Sequence, residues 1–423
     1  MHRLIQSAFT GNRRSWMFSA AGAGLSFLLP PLTGRAAERR GPERSKSLLT
    51  IWLQGGPSQL ETWDPHPGGP TGGPTQAIKT TIPGVKIADL YPRTAEAIHP
   101  LSVIRSLVSK EGDHERGTYH LRTGYRPDPS VRHPSIGSML VHERPAKGLE
   151  LPPHVALDGG QWPPRGGFLG DEYDAFRVGN PGGSIANATS SLSEDRQKRR
   201  LEGLNVLERG FAVGRPTAER KTLHRKATDD ALALMTSDQL KAFEIEDEPA
   251  DVKAAYGDDR FGKSCLVARR LIETGVRAVE VTLDGFDSHT NNFEVHRDKA
   301  TILDPALAAL LKDLESRDLL ASTVVLVLGE FGRTPKINPF DGRDHWPNGF
   351  PCLLGGGGLA SGRVIGATDP AGVKDPERPV PVADLFATIL AALDLDPTKE
   401  LMSPIGRPLK LSEGLPVNEL LPS

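Results

Sequence analysis

The six residues Thr323 to Leu328, TVVLVL, constrain the fold more than any other stretch of this chain. They are β-branched or apolar with no polar alternation, the pattern of a strand covered on both faces inside a parallel sheet. Gly329 ends the run, and Glu330, Arg333, Asp344 and His345 follow within GEFGRTPKINPFDGRDHWP. Residues just beyond the carboxyl end of such a strand are where open α/β sheets hold ligands. A second run, Val276 to Leu283, opens the same way into Asp284-Gly-Phe-Asp287-Ser-His289. Between the two, Leu307, Leu310, Leu311 and Leu314 share one face of a helix over 304–317, so the segment reads as a right-handed βαβ unit. Both strand ends then face one edge of the sheet, and Asp287 and His289 are expected beside Glu330.

The remainder fits the same architecture. Ser47 to Gln54 is a further apolar strand, running into Gly55-Gly56-Pro57-Ser58-Gln59-Leu60-Glu61-Thr62-Trp63-Asp64. A strand at 102–107 is followed by a polar cluster from Asp113 to Gly124 that holds His114, Thr118 and His120. Residues 127–187 are rich in loops, with a short strand at 153–157, whereas 191–260 reads as an insertion of charged amphipathic helices. A helix over 262–274 stops at Gly275, and another spans 382–393. The glycines after Cys352 do not form a nucleotide loop, because neither a helix nor a Lys-Ser/Thr pair follows them. The expectation is a single α/β domain over 45–415, doubly wound, with a mostly parallel sheet and helices on both faces.

A formal net charge of −2 gives no basic field for nucleic acid. Arg13-Arg14, an apolar stretch from Trp16 to Leu32, and Gly34 and Ala36 before a cut read as an export signal over 1–36. The paired arginines point to the twin-arginine route into the periplasm or cell envelope, with no stable membrane insertion after cleavage. Cys265 and Cys352 are the only cysteines and have no ligand spacing.

Asp287, His289, Glu330, Asp344 and His345 form a candidate ligand set for a divalent cation, zinc first and calcium or manganese as alternatives. Such residues also serve as caps and turn formers in Gly-rich loops, but acids clustered at one edge repel each other unless a positive group sits among them. Arg333 either neutralises Glu330 or binds a phosphate or sulfate oxyanion. His114 and His120 are candidate general acids or bases, and Arg333 joins them as a candidate catalytic group. Ser58 and Thr118 are candidate substrate-binding hydroxyls; for Ser58 a turn or cap role is the competing reading.

IWLQGGPSQLETWDP, ARRLIETGVRAVEV, GFDSHTNNF, GEFGRTPKIN and GRDHWP, in this order behind the paired-arginine leader, resemble domain of unknown function family 1501 of exported bacterial proteins. That family is similar to the alkaline phosphatase and sulfatase superfamily. The resemblance implies an alkaline-phosphatase-like sheet with a metal site at strand ends, and action on a phosphate or sulfate ester of a small molecule or glycan. Against the superfamily pattern, Asp287 with His289, Glu330 and His345 stand at ligand places, and His114 stands at the place of the nucleophile. Imidazole cannot become a formylglycine, so that sulfatase chemistry is excluded. The alternative reading is a non-catalytic envelope protein that binds anionic glycans or phosphate esters.

Overall fold

The computed structural model describes residues 44–422 apart from 184, 186–187, 189 and 215–222, so the expected export signal over 1–36 lies outside the described residues. The main-sheet strands are β1 (Ser47–Leu53), β2 (Leu101–Val108), β3 (His154–Leu157), β4 (Phe176–Val178), β5 (Ala278–Leu283), β6 (Thr323–Leu328), β7 (Phe350–Gly356), β8 (Val364–Ile365) and β9 (Val380–Pro381). Their order is β8-β2-β7-β6-β1-β5-β3-β4, with β9 also paired to β2. β7 runs antiparallel to β2 and β6, while the remaining pairings are parallel. β1 lies between β5 and β6 and is parallel to both, so the crossover between those two strands passes over β1. All three strands therefore end at the same edge.

Successive side chains of a strand point to opposite faces, and each face of the sheet carries its own core. Leu49, Ile51, Val281 and Val327 pack under Leu266, Leu271, Leu307 and Leu311 of the helices Arg260–Thr274 and Asn292–Ser316. Leu48, Trp52, Leu326 and Leu328 face Leu121, Met139, Leu140, Phe386 and Ile389 from His114–Thr123, Ile136–Glu143 and Val382–Ala392. In chain order these five helices are α1 (His114–Thr123), α2 (Ile136–Glu143), α3 (Arg260–Thr274), α4 (Asn292–Ser316) and α5 (Val382–Ala392). The doubly wound, mostly parallel α/β sheet with helices on both faces is the fold class that the sequence pattern indicated. Helices Glu194–Ala212 and Leu223–Thr236 lie between β4 and α3 in chain order, and the described residues from 44 onward cluster as one unit.

Helix α4 departs from its expected start. It begins at Asn292 rather than near 304 and carries Pro305 inside it. A proline there reads as a first-turn residue, yet the preceding carboxylate, Asp304, is engaged elsewhere. It accepts from the backbone N–H groups of Arg93 (3.0 Å) and Thr94 (2.7 Å). The added turns bring His296 under the β1 turn, where its Nε2 accepts from Ser58 N–H at 2.9 Å.

Candidate metal centre

The turns after β1, β5 and β6, the start of α1 and a short ribbon of Gly332–Arg333 with His345–Trp346 meet at one edge of the sheet. Helix α1 begins at His114 because the Asp113 side chain caps it, accepting from Arg116 N–H at 3.1 Å. The β1 turn approaches the β5 loop so closely that a Cβ on Gly55 would stand 2.5 Å from Asp287 N, and Gly55 adopts φ +109°. Glycine is the residue that tolerates both demands.

Three imidazoles converge on Asp287. His114 Nε2 lies 3.3 Å from Asp287 Oδ2, while His289 Nε2 and His345 Nε2 lie 3.2 and 3.4 Å from Oδ1. His289 Nε2 and His345 Nε2 are 3.0 Å apart. The Nδ1 atom of each ring faces an acceptor: Glu330 Oε1 at 2.7 Å for His114, Asp344 Oδ1 at 2.9 Å for His289, and Gly112 O at 2.7 Å for His345. Carboxylate and carbonyl oxygens only accept, so each Nδ1 donates and, in the neutral ring, each Nε2 turns a lone pair toward the cluster. Two lone pairs 3.0 Å apart repel unless a proton or a cation lies between them.

Electrostatics sharpen the arrangement. The hydrogen bond to Glu330 raises the His114 pKa against the opposing effect of burial. Burial lowers that of His345. Burial works against the Asp287 charge, but the Arg333 hydrogen bond and the nearby positive groups outweigh it and hold the carboxyl below its ordinary value. His289 lowers the pKa of Asp344 through its hydrogen bond.

The donor set fits a divalent cation. One ligand atom from each of His114, Asp287 and His345 lies within 4.8 Å of the others. The edge of a tetrahedron with zinc–ligand bonds of ~2.0–2.1 Å is ~3.3 Å, close to the separations of the three Nε2 atoms from Asp287. His114 Nε2 is buried and, although it stands 3.3 Å from Asp287 Oδ2, makes no hydrogen bond among the described residues. The backing of each imidazole by an oxygen acceptor is the arrangement that sets tautomer and orientation in metal sites.

Several expected roles change. Glu330, expected as a ligand, is fully buried one layer back, where Oε1 accepts from both His114 Nδ1 and Gly55 N–H (2.9 Å). Arg333, expected to pair with Glu330 or meet substrate, is fully buried instead. Its guanidinium donates to Asp287 Oδ1 (2.5 Å), Gly55 O, Gly56 O (2.9 Å) and Arg343 O (3.0 Å), so it serves the interior rather than an incoming oxyanion. His120 points into the protein, with its Nδ1 2.9 Å from Ser109 Oγ, and burial lowers its pKa to about 4. It does not sit with the cluster as an acid or base. Ser58 and Thr118 are buried too, at 0 and 2 % exposure, which removes both hydroxyls from contact with a substrate in solution. Asp344 orients His289, and His114 joins the ring of donors rather than standing apart as a nucleophile. Sequence reasoning missed Gln59, Glu61, Asn338 and Arg343: the partners of Gln59 and Glu61 lie 274 and 282 residues away, and Asn338 and Arg343 bond mostly to backbone groups, which leave no signature in a sequence.

Fold and site define the class: an α/β protein with a histidine and carboxylate centre at its strand ends. The chain belongs to the family described as protein of unknown function, DUF1501, whose model matches residues 45–421. No curated protein matches it. Similar solved structures include an alkaline phosphatase superfamily protein from Vibrio parahaemolyticus, 11% identical with a TM-score of 0.39, covering 84% of this chain and 67% of that one. The PsFucS1 sulfatase from Pseudoalteromonas sp. is 13% identical with a TM-score of 0.37, over 83% of this chain and 68% of that one. The C-terminal periplasmic domain of EcEptC from Escherichia coli, in complex with Zn, is 11% identical with a TM-score of 0.37, over 90% and 96%.

Proposed function

We propose that the protein is a metal-dependent hydrolase of phosphate or sulfate esters, with one divalent cation, zinc foremost, held by His114, Asp287 and His345. The observation that carries this reading is the convergence of imidazole Nε2 atoms on Asp287, with every Nδ1 held by an oxygen acceptor. A zinc ion bound there would supply Lewis acidity toward an ester oxygen and lower the pKa of bound water toward ~7.

The residues divide the remaining work. Glu330 and Gly112 O keep the two ligand imidazoles in the required tautomer. Arg333 fixes Asp287 from behind. The side chains of Asp287, His289 and Asp344 are 45, 44 and 56% exposed, against 24% for His114 and 0% for Glu330, so an ester approaches from the His289 side. His289, backed by Asp344, is the exposed imidazole placed to carry a proton to or from the reacting group. Attack by an enzyme hydroxyl is not part of this reading, since Ser58 and Thr118 are buried. We further propose export by the twin-arginine route, which would make the substrate an extracytoplasmic ester of a small molecule or glycan. Among the described residues no helix is long and apolar enough to cross a membrane.

The direct test is metal content after gentle purification, followed by turnover of aryl phosphate and aryl sulfate esters. The expected result is about one equivalent of zinc, lost in Asp287→Ala together with hydrolysis. A metal-free wild-type protein that takes up no zinc, calcium or manganese on titration would remove the proposal. The burial of both candidate hydroxyls also favours the competing reading, a binding protein for anionic glycans or phosphate esters. That reading predicts a ligand-induced rise in melting temperature without turnover.

A further inference from the structure

The turn after β1 supplies no donor to the cluster, yet it touches the β5 loop that carries Asp287 and the segment that leads from Glu330 to His345. Gly55 N–H donates to Glu330, and the carbonyls of Gly55 and Gly56 accept from Arg333. Gln59 brackets the Arg333 backbone: its Nε2 donates to Arg333 O at 2.6 Å, and its Oε1 accepts from Arg333 N–H at 3.0 Å. Glu61 holds Arg343 with both oxygens, at 2.9 Å from Nη2 and 3.1 Å from Nε.

The Glu61–Arg343 pair is fully buried on both sides. Arg343 immediately precedes Asp344 and His345, and its own backbone is tied into the site: Arg343 N–H donates to Ser288 O at 2.9 Å, and Arg343 O accepts from Arg333. Its guanidinium also donates to Thr334 O, Pro335 O and Thr71 O, closing the base of the loop that runs from 334 to 344. The tip of that loop is fixed separately. Asn338 donates to His289 O (2.9 Å) and Asp344 Oδ1 (3.3 Å) and accepts from the N–H groups of Phe340 and Gly342.

A buried ion pair is weak evidence for stability, because desolvation of two charges offsets their attraction. What such a pair does supply is a fixed geometry, since its bidentate fork admits one mutual orientation. We infer that Glu61, acting through Arg343, is a positioning residue that sets Asp344 and His345 against Asp287 and His289 before any metal or substrate arrives. This assignment rests on the metal reading above, and it gives the QLETWDP turn a role other than ligation.

The test compares Glu61→Gln with Glu248→Gln. Glu248 pairs with Arg269 and Arg270 on helix α3, away from the site, so its loss serves as a control for general destabilisation. Zinc affinity is measured by chelator competition, and the His ring carbon–proton resonances are recorded in the metal-free proteins. Glu61→Gln is expected to weaken zinc binding about tenfold, in the range seen for groups behind a metal ligand. It should also shift the His289 and His345 resonances while leaving His154 in place. Glu248→Gln should lower the melting temperature without either effect. If Glu61→Gln does not fold, Glu61→Asp, shorter by one methylene, is used with the same readouts. Unchanged zinc affinity and unchanged His289 and His345 resonances in the Glu61 variant would overturn the inference, as would an equal loss of affinity in Glu248→Gln. A wild-type protein that binds no zinc would overturn the metal reading, and the metal-free resonances would still decide whether Glu61 positions the two histidines.

Discussion

At the scale of single residues, the proposed centre separates groups that would bind a cation from groups that hold those groups in place. His289 is the informative case. Its Nε2 stands close to both Asp287 and His345, as a ligand would, but it is also the most exposed imidazole of the cluster and is backed by Asp344. If His289 carries protons, His289→Ala retains about one equivalent of zinc while kcat falls by ~10²–10⁴, the usual contribution of a general acid or base. Loss of the zinc in this variant would reassign His289 to the ligand set. These roles were only partly legible in the sequence. The Asp287-x-His289 and Asp344-His345 pairs stand out because neighbouring residues and strand ends reveal them. Glu330 looked like a ligand because its partners, His114 and Gly55, are 216 and 275 residues away and nothing local announces them. Arg333 looked available to substrate for the same reason: three of its acceptors are backbone carbonyls, which leave no signature in a sequence.

At the scale of elements, α1 and β5 bring His114 and Asp287 together, and a second buried ion pair ties the two elements. Arg122, two turns beyond His114, donates to Glu280 in the middle of β5 and lies over the Trp52 ring, 4.5 Å from its centroid. Burial raises the Glu280 pKa, the expected effect of taking a carboxylate out of water. Replacing one partner alone strands the other. Arg122→Met is therefore expected to cost ~3–5 kcal/mol, whereas the double replacement Arg122→Met with Glu280→Leu should recover most of that loss. Denaturant unfolding of the two variants decides the matter. A single variant as stable as the wild type would show that the pair contributes nothing. Most strands in this region could be read from their apolar runs, but β7 could not be oriented. A run such as FPCLLGG fits a buried strand of either direction, and its antiparallel pairing with β2 and β6 depends on how the chain returns after the site.

At the scale of the whole molecule, the sheet divides the interior into two cores and thereby decides the fate of the two cysteines. Cys265, on α3, belongs to the core under β1, β5 and α4, whereas Cys352, on β7, points into the core beneath α1, α2 and α5. A helix stacks on a sheet at a distance comparable to the ~10 Å between packed layers, and side chains on opposite faces cannot close a gap that a disulfide spans only below about 7 Å. Both thiols are fully buried, and burial pushes both pKa values up, so neither is poised as a thiolate. The proposed export would carry the protein into an oxidising compartment, where paired cysteines usually serve small folds short of core. This chain has two large cores and no geometry for the bond. Protein recovered from the envelope fraction, with a mature amino terminus at residue 37 by mass, is therefore expected to titrate for both thiols once unfolded without reductant. Recovery of no free thiol would mean that the two cores are not separated by the sheet in the way described, and an amino terminus at Met1 would remove the export proposal.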